Sequence, residues 1–176
     1  MKKQKTAVNE IRSKNWYALY TKPRQEFKAA LQLESISVEY YLPTLTTTKK
    51  WSDRKKKITE PLFRGYIFIR ADDKERILAV SSEAVVRTIF FNGKPSVIPD
   101  WQIENIKKIL SESPDIFVSN KIEIGARVKI IDGPFKDVIG VVTGSQEEKW
   151  LAVSIDLLRC SVMVRLPKEC VVDTLN

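Results

Sequence analysis

Asn15-Trp16-Tyr17-Ala18-Leu19-Tyr20-Thr21-Lys22-Pro23-Arg24-Gln25-Glu26-Phe27 contains the change of rhythm that decides the fold. Trp16 to Tyr20 is short and aromatic, which reads as a strand. Pro23 suits the first turn of a helix, where its missing N–H would be an orphan in any case. Phe27, Ala30 and Leu31 then follow at i, i+3 and i+4, giving one apolar face with Lys22, Arg24 and Lys28 mostly off it.

Downstream, Val38 to Thr48 is β-branched and aromatic and reads as a strand interrupted at Pro43, which points to a bulge or an edge. Residues 49–57 follow, and six of these nine are basic. With no apolar period, this run reads as a protruding hairpin loop. Leu62 to Arg70 returns as a strand, and Gly65 beside it permits a bulge or a close backbone approach. Asp73 to Val80 reads as a short helix capped by Asp72 or Asp73. Val85 to Phe91 is a strand that ends at the tight-turn signal Asn92-Gly93. Pro99-Asp100 opens a helix with Ile103, Ile106 and Leu110 on its buried face. Strand, helix, strand, strand, helix, strand, helix is the order of an α+β sandwich, with helices over a largely antiparallel sheet.

The texture changes after Ser113. Residues 114–121 read as a linker. From Ile122 onward, Val128/Ile130, Val138–Val142, Leu151/Val153/Ile155 and Val162/Val164/Leu166 are short alternating runs separated by turns, among them Gly133-Pro134. Closely spaced strands of this kind predict a small all-β SH3-like barrel over 122–176. Upstream, residues 1–14 are polar, charged and aperiodic, and read as a flexible tail before a unit spanning 15–113.

Composition narrows the chemistry. The 176 residues include no histidine, which removes the commonest general base and argues against zinc or any other metal site. Two cysteines, Cys160 and Cys170, make no framework and read as reduced thiols. Neither a P-loop nor a dinucleotide fingerprint is present. No cofactor and no catalytic activity are expected. No apolar run approaches a membrane span and no secretory leader is visible, so the expected location is the cytoplasm. The net charge of +8 is uneven: residues 1–113 carry 22 Lys and Arg against 13 Asp and Glu, and the remainder 8 against 9. The basic part predicts a polyanion partner, and the near-neutral part a different one.

Three stretches carry a family resemblance. Residues 15–26 resemble the opening of the NusG N-terminal domain. Glu60-Pro61-Leu62-Phe63-Arg64-Gly65-Tyr66-Ile67-Phe68 resembles its second signature, with Arg64 where the family usually has proline. Gly125 to Ile130, Asp132 to Asp137 and Gly140-Val141-Val142 resemble a KOW motif. The signatures stand in the family's order and spacing. Phe91 to Pro99, with Glu60 to Ile69, is similar to the specialised RfaH, LoaP and UpxY branches, and residues 51–57 are most like UpxY proteins, antiterminators of polysaccharide operons. The segment Arg76 to Ser82 lacks RfaH's threonine-rich motif.

The resemblance implies a transcription elongation or antitermination factor without enzymatic activity, expected to be a monomer. It implies docking of the N-terminal domain on the clamp helices of the largest RNA polymerase subunit through Trp16, Tyr17, Phe63, Tyr66 and Phe68. Aromatic rings suit such a surface, though most rings in a small domain fill its core. On the residues alone, Tyr66 and Phe68 share one strand face and Ile67 and Ile69 the other. Lys22, Arg24, Lys28, Lys49, Lys50, Arg54, Lys55, Lys56 and Lys57 form a phosphate-attracting set, with Trp51 available to stack on a base. The resemblance assigns them non-template or upstream DNA; a solvated charged loop is the plain alternative. For the KOW domain it implies that Phe135, Ile155, Leu157 and Leu158 recruit a ribosomal small-subunit protein or Rho. General NusG and a KOW-containing ribosomal RNA-binding protein are the competing functions.

Overall fold

The computed structural model describes residues 13–50, 55–113, 115–119, 123, 125–144, 148–168 and 170–175. In chain order its elements begin with β1 (Asn15–Thr21), α1 (Glu26–Ser35), β2 (Glu39–Tyr41), β3 (Thr44–Lys50), β4 (Lys55–Pro61) and β5 (Tyr66–Ala71). They continue with α2 (Asp73–Val80), β6 (Val85–Thr88), β7 (Phe90–Phe91), β8 (Lys94–Pro95), β9 (Val97–Ile98) and α3 (Asp100–Glu112). The C-terminal strands are β10 (Ile116–Ser119), β11 (Arg127–Ile130), β12 (Ile139–Gly144), β13 (Lys149–Ile155), β14 (Cys160–Arg165) and β15 (Val172–Thr174), with a 3-10 turn at Asp156–Leu158. The architecture is α+β, with an all-β C-terminal sheet.

The first sheet runs β2-β5-β1-β6, with β9 also on β1, and every pairing is antiparallel. Strand alternation splits its residues between two cores. On one face Tyr17, Leu19, Ile67 and Ile69 pack with Ala29, Ala30 and Leu33 of α1 and Ala79 of α2. On the other, Trp16, Ala18, Phe63 and Phe68 pack with Ile103, Ile106 and Ile109 of α3. β3 and β4 form a separate two-stranded ribbon, in register from Thr44↔Pro61 to Lys50↔Lys55.

Local chemistry explains most boundaries. Asp72 accepts from the Glu75 backbone N–H while the Glu75 carboxylate accepts from the Asp72 N–H, a reciprocal cap that starts α2. β6 stops at Thr88, and Phe90–Phe91 instead pairs with Lys94–Pro95 around Asn92 and Gly93, both at positive φ (49° and 74°). The expected strand over Leu62 to Arg70 is shorter at its start. Gly65 has φ +82° and the Tyr66 N–H donates to the Phe63 carbonyl, so residues 62–65 turn before β5 begins.

Three expectations are corrected. Pro23 is not helical: Lys22 N–H donates to Ala84 carbonyl, Arg24 has φ +62°, and α1 begins only at Glu26. The buried face of α1 is Glu26, Ala29, Ala30 and Leu33, while Phe27 and Leu31 are exposed. Alanines let that face lie close to the sheet, and the larger side chains turn outward. In α3, Ile109 rather than Leu110 completes the buried row, and Leu110 is half-buried.

The C-terminal sheet has the order β10-β14-β13-β12-β11-β15. Its interior holds Val128, Ile130, Phe135, Leu151, Val153, Ile155, Val162 and Val164. Four residues of the expected linker, Ile116–Ser119, form β10 and pair with Val164 to Ser161. The barrel therefore starts closer to α3 than the change of texture suggests. It also packs on α3: the Gln102 amide donates to Asp156 at 2.8 Å, and Asn105 Nδ2 donates to the Ile139 carbonyl at 2.9 Å. Arg127 lies over the Trp101 ring at 5.8 Å. The buried apolar residues of α3 and of the barrel form one continuous cluster.

Candidate functional site

Two surfaces of the first sheet and its ribbon bear on function. The first is aromatic. Phe63 meets Phe68 edge-on at 5.7 Å, Phe68 stacks with Tyr41 at 6.4 Å, and Tyr41 meets Trp16 at 6.5 Å. Lys107 of α3 closes this group from above, 5.1 Å from the Trp16 ring centre and 5.5 Å from that of Tyr41, while its ammonium pairs with Glu104 at 2.8 Å. Burial, and then the Glu104 carboxylate, hold the Tyr41 phenol well above its usual range. Tyr41 is thus neutral throughout the working range and behaves as part of an apolar wall.

The five aromatic residues expected at a docking surface do not share one face. Trp16, Phe63 and Phe68 are buried on the α3 side, and Tyr66 is half-buried at its rim against Tyr20 at 5.5 Å. Tyr17 is buried on the opposite side, in the α1 core, with Arg76 over its ring at 5.6 Å. Of the five, Tyr66 offers surface as the chain stands. Tyr41 and Lys107 belong to the same wall and were not predicted; the alternation of Glu39-Tyr40-Tyr41 was the available signal for Tyr41.

The second surface is basic. Lys22, Arg24 and Lys28 are exposed around the start of α1, though Lys28 is tied to Glu83 at 2.8 Å. Lys56 and Lys57 are exposed on β4. Lys49, Lys50 and Lys55 belong to the ribbon, which places Lys49 opposite Lys56 and Lys50 opposite Lys55. Trp51 and Arg54 lie outside the described residues. The expected loop is mostly strand: the ladder persists through the lysines, so its register pairs lysine positions with lysine positions. That pairing is unfavourable alone and favourable against a polyanion.

Between the two basic groups lies a groove of about 650 Å³. Its floor includes Glu26, only 5% exposed, whose Oε1 accepts the Gly65 backbone N–H at 2.7 Å. Sequence reading missed Glu26 because a glutamate in a first helical turn ordinarily faces water. A Cβ on Gly65 would stand 3.2 Å from the Tyr20 ring, which gives that glycine a steric reason beyond its φ.

In the barrel, Phe135 and Ile155 are core residues, at 2% and 0% exposure, and present no surface to a partner. Leu157 and Leu158 are half-buried in the 3-10 turn next to Asp156, the residue that bonds Gln102. No helix among the described residues is long and apolar enough to cross a membrane.

Comparison with known proteins bears on the family to which the chain belongs. The family model described as "Transcription termination factor nusG" matches residues 14–107. The chain is 25% identical over 159 residues to the transcription termination/antitermination protein NusG of Chlamydia trachomatis, covering 88% of this chain and 82% of that one. It is 24% identical over 176 residues to the protein of that name from Haemophilus influenzae, with 92% and 95% covered. A solved structure of Thermotoga maritima NusG, reported for its domain interaction, is similar at TM-score 0.49 and 24% identity, covering 88% of this chain and 93% of that one. The family match spans more than half of the sequence and takes in the whole first sheet, α1, α2 and most of α3: the chain belongs to the NusG family.

Proposed function

We propose that this protein is an RNA polymerase-associated elongation factor of the specialised, antiterminating kind, recruited to particular operons such as those for polysaccharide synthesis. The observation that carries the polymerase reading is the half-buried Tyr66, which offers surface at the rim of the aromatic wall and lies inside the segment that matches the family. An aromatic ring at the edge of a rigid sheet gives a partner helix contact area at small entropic cost. The occupant is the clamp-helix pair of the largest polymerase subunit. The basic ribbon and the start of α1 contact non-template or upstream DNA through phosphates. Residues 15–113 form the polymerase-binding unit, and 122–176 with the preceding β10 form a barrel that recruits a second machine, a ribosomal protein or Rho. Holding that machine on the same chain raises its local concentration at the elongating complex.

The specialised reading rests on the sequence of Phe91 to Pro99 and of the ribbon. Chromatin occupancy mapping tests it against general NusG. Binding confined to a few operons upholds it. Occupancy that follows polymerase across most transcribed genes assigns the protein a housekeeping role.

A further inference from the structure

The stretch between α3 and β11 is a connector by composition, yet Ile116–Ser119 is built into the barrel sheet as β10. Its antiparallel register runs from Ile116↔Val164 to Ser119↔Ser161. β10 stands at the end of the strand order, so β14 is its one neighbour in the sheet. Ile116 is buried, Val118 and Ser119 are half-buried, and Phe117 is 48% exposed. β14, by contrast, is zipped to β13 over six residue pairs and carries Val162 and Val164 at 0% exposure. The rest of the barrel core, Val128, Ile130, Phe135, Leu151, Val153 and Ile155, lies on β11, β13 and the chain between them. The barrel therefore keeps its interior whether or not β10 is in place. From the exposed side β10 is fastened by a ring pair: Phe117 meets Trp150 of β13 edge-on at 5.3 Å. Such a pair shifts an equilibrium by roughly three- to tenfold.

The place of β10 in the chain gives this weak hold a consequence. α3 ends at Glu112, where the Ser113 N–H donates to the Ile109 carbonyl, and the Asp115 N–H donates to the Ser113 hydroxyl at 3.2 Å. With β10 zipped, residues 113–115 alone separate α3 from the barrel sheet. That step spans at most about 14 Å when fully extended. With β10 peeled, residues 113–126 all join the connection, and the limit rises to about 50 Å. Four residue pairs thus decide between a short tether and a long one. Tether length in turn sets the effective concentration of whatever the barrel holds, which falls once the tether exceeds the span it must bridge.

We propose that β10 is a peelable strap that sets the reach of the barrel: zipped onto β14 it keeps the barrel beside α3, and peeled it lets the still-folded barrel range farther from the first sheet. The side-chain bonds of Gln102 and Asn105 hold the barrel at α3 as well, so reach is measured with both removed. The use of the strap in recruitment rests on the reading of the barrel as the part that holds a second machine. The strap itself is tested on the protein alone, so the two fail separately.

Amide hydrogen exchange of the full-length protein, followed residue by residue, tests the strap. The amides joining β10 to β14 should exchange roughly a hundredfold or more faster than those joining β13 to β14, because they open without unfolding the barrel. Phe117→Ala, which loses the Trp150 contact, should speed them by roughly a further three- to tenfold and leave the β13 amides unchanged. Exchange of β10 and β13 at one common rate, or a Phe117→Ala effect spread evenly over the barrel, overturns the proposal. Small-angle X-ray scattering then measures reach in the Gln102→Ala/Asn105→Ala protein, with and without Phe117→Pro/Val118→Pro. One of two adjacent strand residues points its N–H at the neighbouring strand, so the paired prolines remove a ladder bond whichever it is. The expected result is a maximum dimension larger by roughly 20 Å with the prolines, while the β13 amides stay protected. An unchanged dimension overturns the claim about reach. Loss of protection in β13 makes β10 an integral strand of the barrel and overturns the proposal as well.

Discussion

Glu26 Oε1 accepts the backbone N–H of Gly65 at 2.7 Å, joining the first turn of α1 to the turn that precedes β5 across 39 residues of sequence. The same turn is held from the other side, where the Gly65 carbonyl accepts the Thr21 N–H at 2.8 Å. Two of the stretches that carry the family resemblance therefore meet at one peptide. This junction sets where Phe63 and Tyr66 stand relative to the start of the helix.

Glu26→Ala leaves the Gly65 N–H without its partner, and the expected cost is about 1–3 kcal/mol of unfolding free energy. Glu26→Gln retains an acceptor and should cost less. Urea denaturation of the two variants in parallel checks the order; equal losses would mean the bond contributes little.

Gly65→Ala should be destabilising by more than about 1 kcal/mol, since φ is +82° and the added methyl meets the Tyr20 ring. Because Tyr20 packs on Tyr66, the change should also shift near-ultraviolet circular dichroism from the aromatic residues. A melting temperature within a degree or so of the parent would contradict the strain argument.

Asn105→Ala combined with Gln102→Ala removes two side-chain bonds between α3 and the barrel. Losing them should loosen the barrel from α3 by roughly 1–3 kcal/mol. Backbone amide exchange in α3 and around Ile139 should accelerate, while exchange in β1 and β5 stays slow. Uniform acceleration across both sheets would instead show that the two parts unfold as one unit.

Burial pushes the Cys160 thiol up to about 11, above its usual range. The folded state holds this proton more tightly than the unfolded state, so stability falls as pH rises between about 9 and 11 and is unaffected by this group below that window. Cys160 is 7% exposed, whereas Cys170 is half-buried. Iodoacetamide at pH 8 should label Cys170 well before Cys160, a difference that urea abolishes. Mass spectrometry of the tryptic peptides reads the outcome directly.

Much of this was legible in the sequence. The aromatic run at Trp16, the cap at Asp72 and the turn at Asn92-Gly93 each act through neighbours a few residues away, and local pattern finds such features. What stayed hidden depends on contacts made at long range. Gln102 and Asn105 are polar and lie outside the expected face of Ile103, Ile106 and Leu110, yet both are buried and bond to the barrel. Phe27 sits in the expected apolar stripe, but Ala29 and Ala30 take the sheet and leave it outside. Ile116–Ser119 follows a helix end and reads as connector, because only β14 makes it a strand. Tyr17 and Trp16 are adjacent in sequence and fall on opposite faces, so a signature that lists them together does not define one surface.

The central claim is that this chain rides on RNA polymerase through the surface around Tyr66, at the rim of the aromatic wall. The most direct test measures binding of the full-length protein to core polymerase, alongside Tyr66→Ala and the Gln102→Ala/Asn105→Ala double variant. The account predicts saturable binding by the parent, at least tenfold weaker binding by a folded Tyr66→Ala, in keeping with the loss of a contact at the edge of an aromatic interface, and binding by the double variant no weaker than the parent's. No binding by either the parent or the double variant would contradict it.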